Sequence, residues 1–315
     1  MSRYNLSNFK RAIQNPEHIS GELSHIGTKI NSRFQKKLVY RDKKTDPISK
    51  DWDNLIILDA CRIDAYQKVI GDDSVDSHIS NSTHSWEFMK NNFQGRTLHD
   101  TIYITANPFT TRLDKSIFFK LDYLPKHSWN EEKGTVMPGD VLQTTLNTHK
   151  NYPHKKLIIH FMQPHYPFIG DIGDSIDHTG YNRDQDDVED TAPNIWWVLQ
   201  YASKSQGVTT REVWEAYIQN LEIVLEYAQK IVDSIPGKTV LTADHGTMIG
   251  DRTLPVPVRG YGHAHGSFVT PVVKVPWDVR DYNDRKIVRA DSPIDTGEKI
   301  SKNINQQLES LGYKP

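Results

Sequence analysis

The sequence predicts an α/β layer architecture, and three observations carry that prediction. Short apolar runs of strand length alternate with stretches of helical periodicity, and two of those runs stop at an aspartate. With 315 residues, 37% hydrophobic and 25% charged, the chain can also bury a substantial core. The run Leu55-Ile56-Ile57-Leu58 ends at Asp59. Val240-Leu241-Thr242-Ala243 ends at Asp244, which His245 and Gly246 follow. Open α/β sheets present ligands at the carboxyl ends of their strands. A carboxylate there packs poorly and is well placed to hold a cation.

Residues 1–50 are rich in Lys, Arg, Asn and Gln. Ile13, Ile19, Leu23, Ile26, Ile30 and Phe34 recur at helical spacing, so this segment reads as an N-terminal helical extension packed by its apolar side. Its basic end, Arg33 to Lys44, reads as a solvated helix face. The core domain, 51–315, begins after Asp46-Pro47. Further strands are expected at 101–105, 157–161, 239–243 and 271–275, with helices near 60–70, 85–93, 139–149, 209–234 and 296–311. In the 209–234 helix, Val213, Tyr217, Leu221, Val224, Ala228 and Ile231 form one stripe. Thr210 with Glu212 suits its start, and Pro236-Gly237 follows its end. One stretch breaks the alternation. Residues 170–207 carry Asp171, Asp174, Asp177, Asp184, Asp186, Asp187, Glu189 and Asp190 before Ile195-Trp196-Trp197, and read as a solvated insertion or a lid. That aspartate density keeps calcium in view, although the spacing matches no calcium loop.

Several classes are disfavoured. A net charge of -2 gives no general reason to expect nucleic acid or an anionic membrane as partner. A single cysteine, Cys61, excludes an internal disulfide framework. The start Met-Ser-Arg-Tyr-Asn-Leu has no apolar signal core, and no run reaches the roughly 18 apolar residues that span a bilayer. The expectation is a soluble, cytoplasmic protein with a small-molecule, glycan-linked or lipid-linked partner.

Four clusters carry chemistry: Asp59 to Asp64, Ser80 to Phe88, His160 to Phe168, and Asp244-His245-Gly246 with Tyr261 to Gly266. Six of the 14 histidines fall within them. Two carboxylates and several imidazoles at loop positions have the composition of a zinc or manganese site. Gly246, Gly260, Gly262 and Gly266 would let backbone approach a ligand closely.

At these residues the chain resembles the alkaline phosphatase and sulfatase superfamily, and within it small sulfatase-like proteins carrying Asp-Ala-Cys-Arg, here Asp59 to Arg62. The resemblance runs from about Asp53 to Trp277 and includes Thr105 to Pro108 and Pro164 to Pro167. It implies a three-layer sandwich with a largely parallel central sheet and helices on both faces. It also implies Asp59, Asp244 and His245 as ligands of one divalent cation, zinc or manganese first and magnesium or calcium as alternatives. A hydroxyl nucleophile would sit against that cation. Ser85, two residues before Glu87-Phe88, is the choice for it, with Thr83 and Ser82 as alternatives. His165 and His263 are expected near the substrate anion, a second cation being the other reading, with His265 as fallback. Arg62 and Asn107 are expected to contact the anion's oxygens, a salt bridge to Asp64 being the other reading of Arg62. The formylglycine motif of many sulfatases is absent around Cys61, which reads as a small packed residue. The expected activity is therefore metal-dependent hydrolysis or transfer at a phosphate ester. Sulfuryl ester hydrolysis and noncatalytic glycan binding are the alternatives.

Overall fold

The computed structural model describes residues 16–40, 43–176, 195–294 and Gln307. In chain order its strands are β1 (Lys44–Thr45), β2 (Asn54–Asp59), β3 (Ser77–Ser80), β4 (Leu98–Thr105), β5 (Phe118–Tyr123), β6 (Trp129–Asn130), β7 (Thr135–Val136), β8 (Lys156–Pro164), β9 (Thr239–Thr242), β10 (Met248–Thr253), β11 (Val258–Gly262) and β12 (Lys274–Val279). Eight of them form one sheet in the order β1-β3-β12-β9-β2-β8-β4-β5. All its pairings are parallel except those of β12, which runs antiparallel to β3 and β9. β6–β7 and β10–β11 are separate two-stranded ribbons.

The main helices are α1 (Pro16–Leu38), α2 (Ile63–Ile70), α3 (Ser85–Phe93), α4 (Pro138–Asn151), α5 (Ile195–Tyr201) and α6 (Thr210–Ser234). Side chains alternate across a strand, so a central strand feeds two cores. Ile56 and Leu58 of β2, Ile102 and Ile104 of β4, and Leu157, Ile159 and Phe161 of β8 pack with Val213, Tyr217, Leu221, Val224 and Ala228 of α6. Leu55, Ile57, Tyr103 and Ile158 point the other way and pack with Phe88, Met89 and Phe93 of α3. This is the expected three-layer α/β sandwich. Asp59 and His160 share the parity of Ile57 and Ile158, which places them on the α3 side.

All six stripe residues of α6 are buried. Its start differs by one residue from the expectation. Thr209 is the cap: its Oγ1 accepts from Glu212 N at 3.2 Å, and the Glu212 carboxylate accepts from Thr209 N at 2.8 Å. Thr209→Ala should cost about 1 kcal/mol in urea unfolding, the usual loss for a cap.

Three other expectations change. Residues 271–275 were expected to be a strand, but Thr270–Val273 form a helical turn and β12 starts at Lys274. Pro271 explains this, since it has no N–H for a ladder and its fixed φ suits a helix start. The strands β3 and β5 lie where no strand was expected. In α1 the helix is present but its apolar side is not packed: Ile19, Leu23, Ile26, Ile30 and Phe34 are 40 to 62% exposed. The opposite side packs instead, through small and polar residues. Asn31 Nδ2 donates to Thr253 Oγ1 and Val256 O, both at 2.7 Å, and the Ser32 hydroxyl donates to Gly266 O and accepts from Phe268 N at 2.8 Å. Gly21 sits against Tyr201 and Gly27 against Val258, where any side chain would collide. Of the acidic insertion, the stretch containing Asp177 to Asp190 lies outside the described residues, as do Ile13 and the 296–311 helix apart from Gln307.

Candidate metal centre

Three adjacent strands bring the site together. β2 lies between β8 and β9, in parallel with both. Asp59 ends β2, Asp244 follows β9 by two residues, and His160 sits in β8 opposite Ile57. Beyond Leu58 the β2–β8 register shifts, so that Asp59 faces Pro164. The turn after β2 needs Ala60 at φ 59°, a left-handed conformation costing about 1 kcal/mol for a non-glycine residue. Tyr217 of α6 holds that turn: its hydroxyl donates to Ala60 O at 2.8 Å and accepts from Arg62 N at 3.0 Å.

Each member of the trio uses part of its hydrogen-bonding capacity and leaves one atom open. Asp244 Oδ1 accepts from Ala60 N at 3.1 Å and His245 N at 2.8 Å, while its Oδ2 has no partner. Asp59 Oδ2 accepts from Ser85 Oγ at 2.9 Å and Asn107 Nδ2 at 2.7 Å, while its Oδ1 has none. His160 Nδ1 pairs with the Tyr103 hydroxyl at 2.8 Å, while its Nε2 has none. One ligating atom from each of the three residues lies within 4.8 Å of the others, and all three side chains are fully buried. Buried polar atoms are rarely left unsatisfied, and never cheaply. Unsatisfied atoms on three residues that lie this close together are what a divalent cation of the zinc or manganese type would satisfy, so the donor set fits the implied group.

The electrostatics agree. Burial, and then the neighbouring Asp244 charge, hold the Asp59 carboxyl well above its ordinary range. Burial pulls His160, His245 and His165 down to about 4. It also holds His263 well below the ordinary imidazole value. These rings are neutral at pH 7, as ligating imidazoles must be. His245 donates Nδ1–H to Gly246 O at 2.9 Å, which leaves the Nε2 lone pair directed inward, 3.4 Å from Asp244 Oδ2 and 3.7 Å from Asp59 Oδ1.

Ser85 is the first residue of α3, capped by His84 Nδ1, which accepts from Trp86 N. Its Oγ lies 2.9 Å from Asp59 Oδ2 and 3.4 Å from His245 Nε2. The other two candidate hydroxyls are committed elsewhere. Thr83 donates to Glu87 Oε2 and accepts from Gly266 N, both at 2.8 Å, and Ser82 donates to Asn81 Oδ1 at 2.6 Å.

His165 and His263 also meet, with their Nε2 atoms 3.4 Å apart, and the His263 ring is 4.5 Å from that of His245. His165 Nδ1 donates to Tyr166 O, so its Nε2 offers a lone pair. That face suits a cation better than an anion, because burial opposes the protonation that anion contact would need. His265 stands apart at the exposed lip, 5.3 Å from the His84 ring.

One expected oxygen contact is corrected, and the other residue has a further role. Arg62 places all five of its guanidinium N–H groups on Asp64, Asp251 and Thr247 O, with the ring of Trp214 4.9 Å away. No donor remains for a substrate, and the salt bridge to Asp64 is the reading that holds. Asn107 orients Asp59, while its Oδ1 accepts from Phe109 N at 2.9 Å. Cys61 is fully buried, and its thiol, pushed well up by burial, points to Arg62 O.

The sequence reading placed His160 in a cluster without giving it a role. A histidine inside a buried apolar strand was the signal. It also missed Asn220, buried in α6, whose Nδ2 donates to Pro164 O at 3.2 Å, His165 O at 3.1 Å and Pro167 O at 3.4 Å, and whose Oδ1 accepts from Ile169 N at 3.1 Å. Asn220→Ala should lower stability by on the order of 3 kcal/mol in chemical unfolding, because it strands several buried backbone groups.

No family model matches the chain, and no curated protein matches it. Solved structures do. The C-terminal periplasmic domain of EptC from Escherichia coli, in complex with Zn, superposes with a TM-score of 0.39 at 14% identity, over 74% of this chain and 75% of that one. The integral membrane lipooligosaccharide phosphoethanolamine transferase A of Neisseria meningitidis gives 0.41 at 12%, over 75% of this chain and 49% of that one. A protein in the alkaline phosphatase superfamily from Vibrio parahaemolyticus gives 0.35 at 12%, over 92% and 75%. The functional reading rests on this chain's own side chains.

Proposed function

We propose that the chain is a metal-dependent enzyme of phosphate esters, a hydrolase or transferase of the alkaline phosphatase and sulfatase kind, with Ser85 as nucleophile. The observation that carries this reading is the Ser85 hydroxyl, at a helix start and in contact with both Asp59 and His245. Asp59, Asp244 and His160, with His245 beside them, would hold the cation. When bound, a divalent cation lowers the pKa of a serine hydroxyl and offsets the charge of the incoming ester. Asp59 Oδ2 already accepts the Ser85 hydrogen bond and is the first acceptor for its proton. Ser85 Oγ bonds to phosphorus as the bond to the leaving alkoxide breaks, and the alkoxide takes a proton from solvent. Water, or an acceptor alcohol in a transferase, then removes the phosphoryl group from Ser85. Asn107 fixes the Asp59 carboxylate throughout, and Tyr217 and Arg62 fix the turn that carries it.

A phosphate ester on a small molecule, glycan or lipid is the proposed substrate. An unmodified serine and the absence of a formylglycine motif favour phosphate over sulfate. The test is turnover of aryl phosphate, aryl phosphodiester and aryl sulfate by purified protein, with and without added zinc or manganese. Metal-dependent phosphate release is expected. Sulfate release with no phosphate release would overturn the assignment, and folded protein that neither retains metal nor turns over any ester would point to a binding protein.

A further inference from the structure

α1 is amphipathic in the reverse of the usual sense. A helix lying on a globular core normally turns its apolar stripe inward. Here Gly21, Asn31 and Ser32 are buried, while Ile19, Leu23, Ile26, Ile30, Phe34 and Leu38 face out, with Leu23 62% and Leu38 69% exposed. Leu254 of the β10–β11 ribbon is also exposed, at 63%, and its carbonyl accepts from Gln35 of α1. Six large aliphatic or aromatic side chains along a helix of 23 residues form a contiguous apolar surface of the kind that marks an interaction site.

Charge selects the occupant. Lys29, Arg33, Lys36 and Lys37 are exposed along the helix, three of them on one flank of the stripe at helical spacing. Across the other flank, Arg252, Arg259 and Lys204 surround a cavity of about 660 Å³ that Ser20, Leu23 and Ser24 also line. The stripe thus has cations on both sides. A second copy laid on this face by a two-fold axis would set cations against cations, whichever way the helices ran. An anionic lipid surface meets both demands, with acyl chains under the apolar stripe and negative headgroups along the basic rims. Among the described residues no helix is long and apolar enough to cross a membrane, so α1 would lie on the surface rather than span it.

We infer that the outer face of α1, with the adjoining basic rim of the β10–β11 ribbon, docks on an anionic lipid bilayer. Ser32 ties α1 to Gly266 and Phe268, so the docked face stands one loop away from His263. The inference concerns a surface and holds whether or not the metal centre turns over a phosphate ester.

The test is flotation of the full chain with two vesicle types, phosphatidylcholine alone and phosphatidylcholine with about one third phosphatidylglycerol. Wild type should float with the anionic vesicles at least about tenfold better than with the neutral ones, and added salt should release it. Leu23→Glu with Ile30→Glu should reduce flotation about tenfold or more, and Arg252→Glu with Arg259→Glu should remove the preference for anionic vesicles. All four positions are exposed. Circular dichroism and the melting temperature would show that the variants fold. Folded wild type that floats with neither vesicle would overturn the inference. So would a wild-type dimer that L23E/I30E dissociates while vesicles capture nothing, and equal flotation of wild type and L23E/I30E.

Discussion

Ser85→Ala should lower metal-dependent phosphate release by on the order of a thousandfold or more while leaving metal binding intact. The two readouts separate because Ser85 contributes one hydrogen bond to Asp59, and Asp59 keeps its second bond from Asn107. In the proposed site, cation affinity would rest on Asp59, Asp244 and His160, which the substitution does not touch. Thr83→Ala is the matched control. Its hydroxyl donates to Glu87 and accepts from Gly266, so its loss should cost about 1 kcal/mol of stability and leave turnover within about tenfold. The comparison is steady-state kinetics with bound metal measured on the same samples. If Thr83→Ala silences the protein and Ser85→Ala does not, the nucleophile has been misassigned.

Asp59→Asn should have opposite effects on the metal-free and metal-loaded protein. Without metal, two buried carboxylates face each other, and burial together with Asp244 raises the Asp59 pKa above its ordinary value near 3.8. For an acid whose pKa is raised on folding, the cost to stability is absent below the unfolded value and grows as pH rises through the folded one. Asparagine removes that cost. Its Oδ1 can keep the bonds from Ser85 and Asn107, and its Nδ2 can donate towards Asp244 Oδ2. Metal-free Asp59→Asn should therefore be more stable than metal-free wild type at pH 7 by on the order of 2 kcal/mol, and the gap should close as pH falls towards 4. With metal the order reverses. Wild type gains about 2.7 kcal/mol at a free metal concentration about 100 times Kd, and the variant, short of one anionic ligand, gains little. Thermal unfolding with chelator or with zinc, at several pH values, reads both halves. A variant that matches wild type under every condition would remove Asp59 from the site.

The sheet was legible because its central strands are short aliphatic runs bounded by turn residues, and α6 because six apolar residues keep one period within a helix of 25 residues. β5 was harder, since Phe118 to Tyr123 mixes Lys120 and Asp122 into an edge strand, where one side can stay wet. In α1 the period was right and the side was wrong. Periodicity shows that one face is apolar, and only packing shows which face the core accepts. Asp59 and Asp244 could be read from strand ends, whereas a ligand role for His245 came only from the family resemblance. The commitment of Arg62 could not, because its second partner, Asp251, lies 189 positions away. His160 was obscured by the runs around it, its role depending on two carboxylates that other strands supply.

The separation of those carboxylates in the chain also bears on how the protein acquires its structure. Ala60 and Asp244 are 184 residues apart, and Ser85 and His245 are 160 apart. Parallel pairing of this kind joins distant parts of the sequence and delays folding, whereas α1 and α6 can form from local contacts. A candidate cation site supplied by β2, β8 and the residues just after β9 does not exist until all three strands are side by side. In a refolding experiment, metal uptake should therefore lag behind the recovery of helical signal, because a site of this design is complete only at the end of assembly.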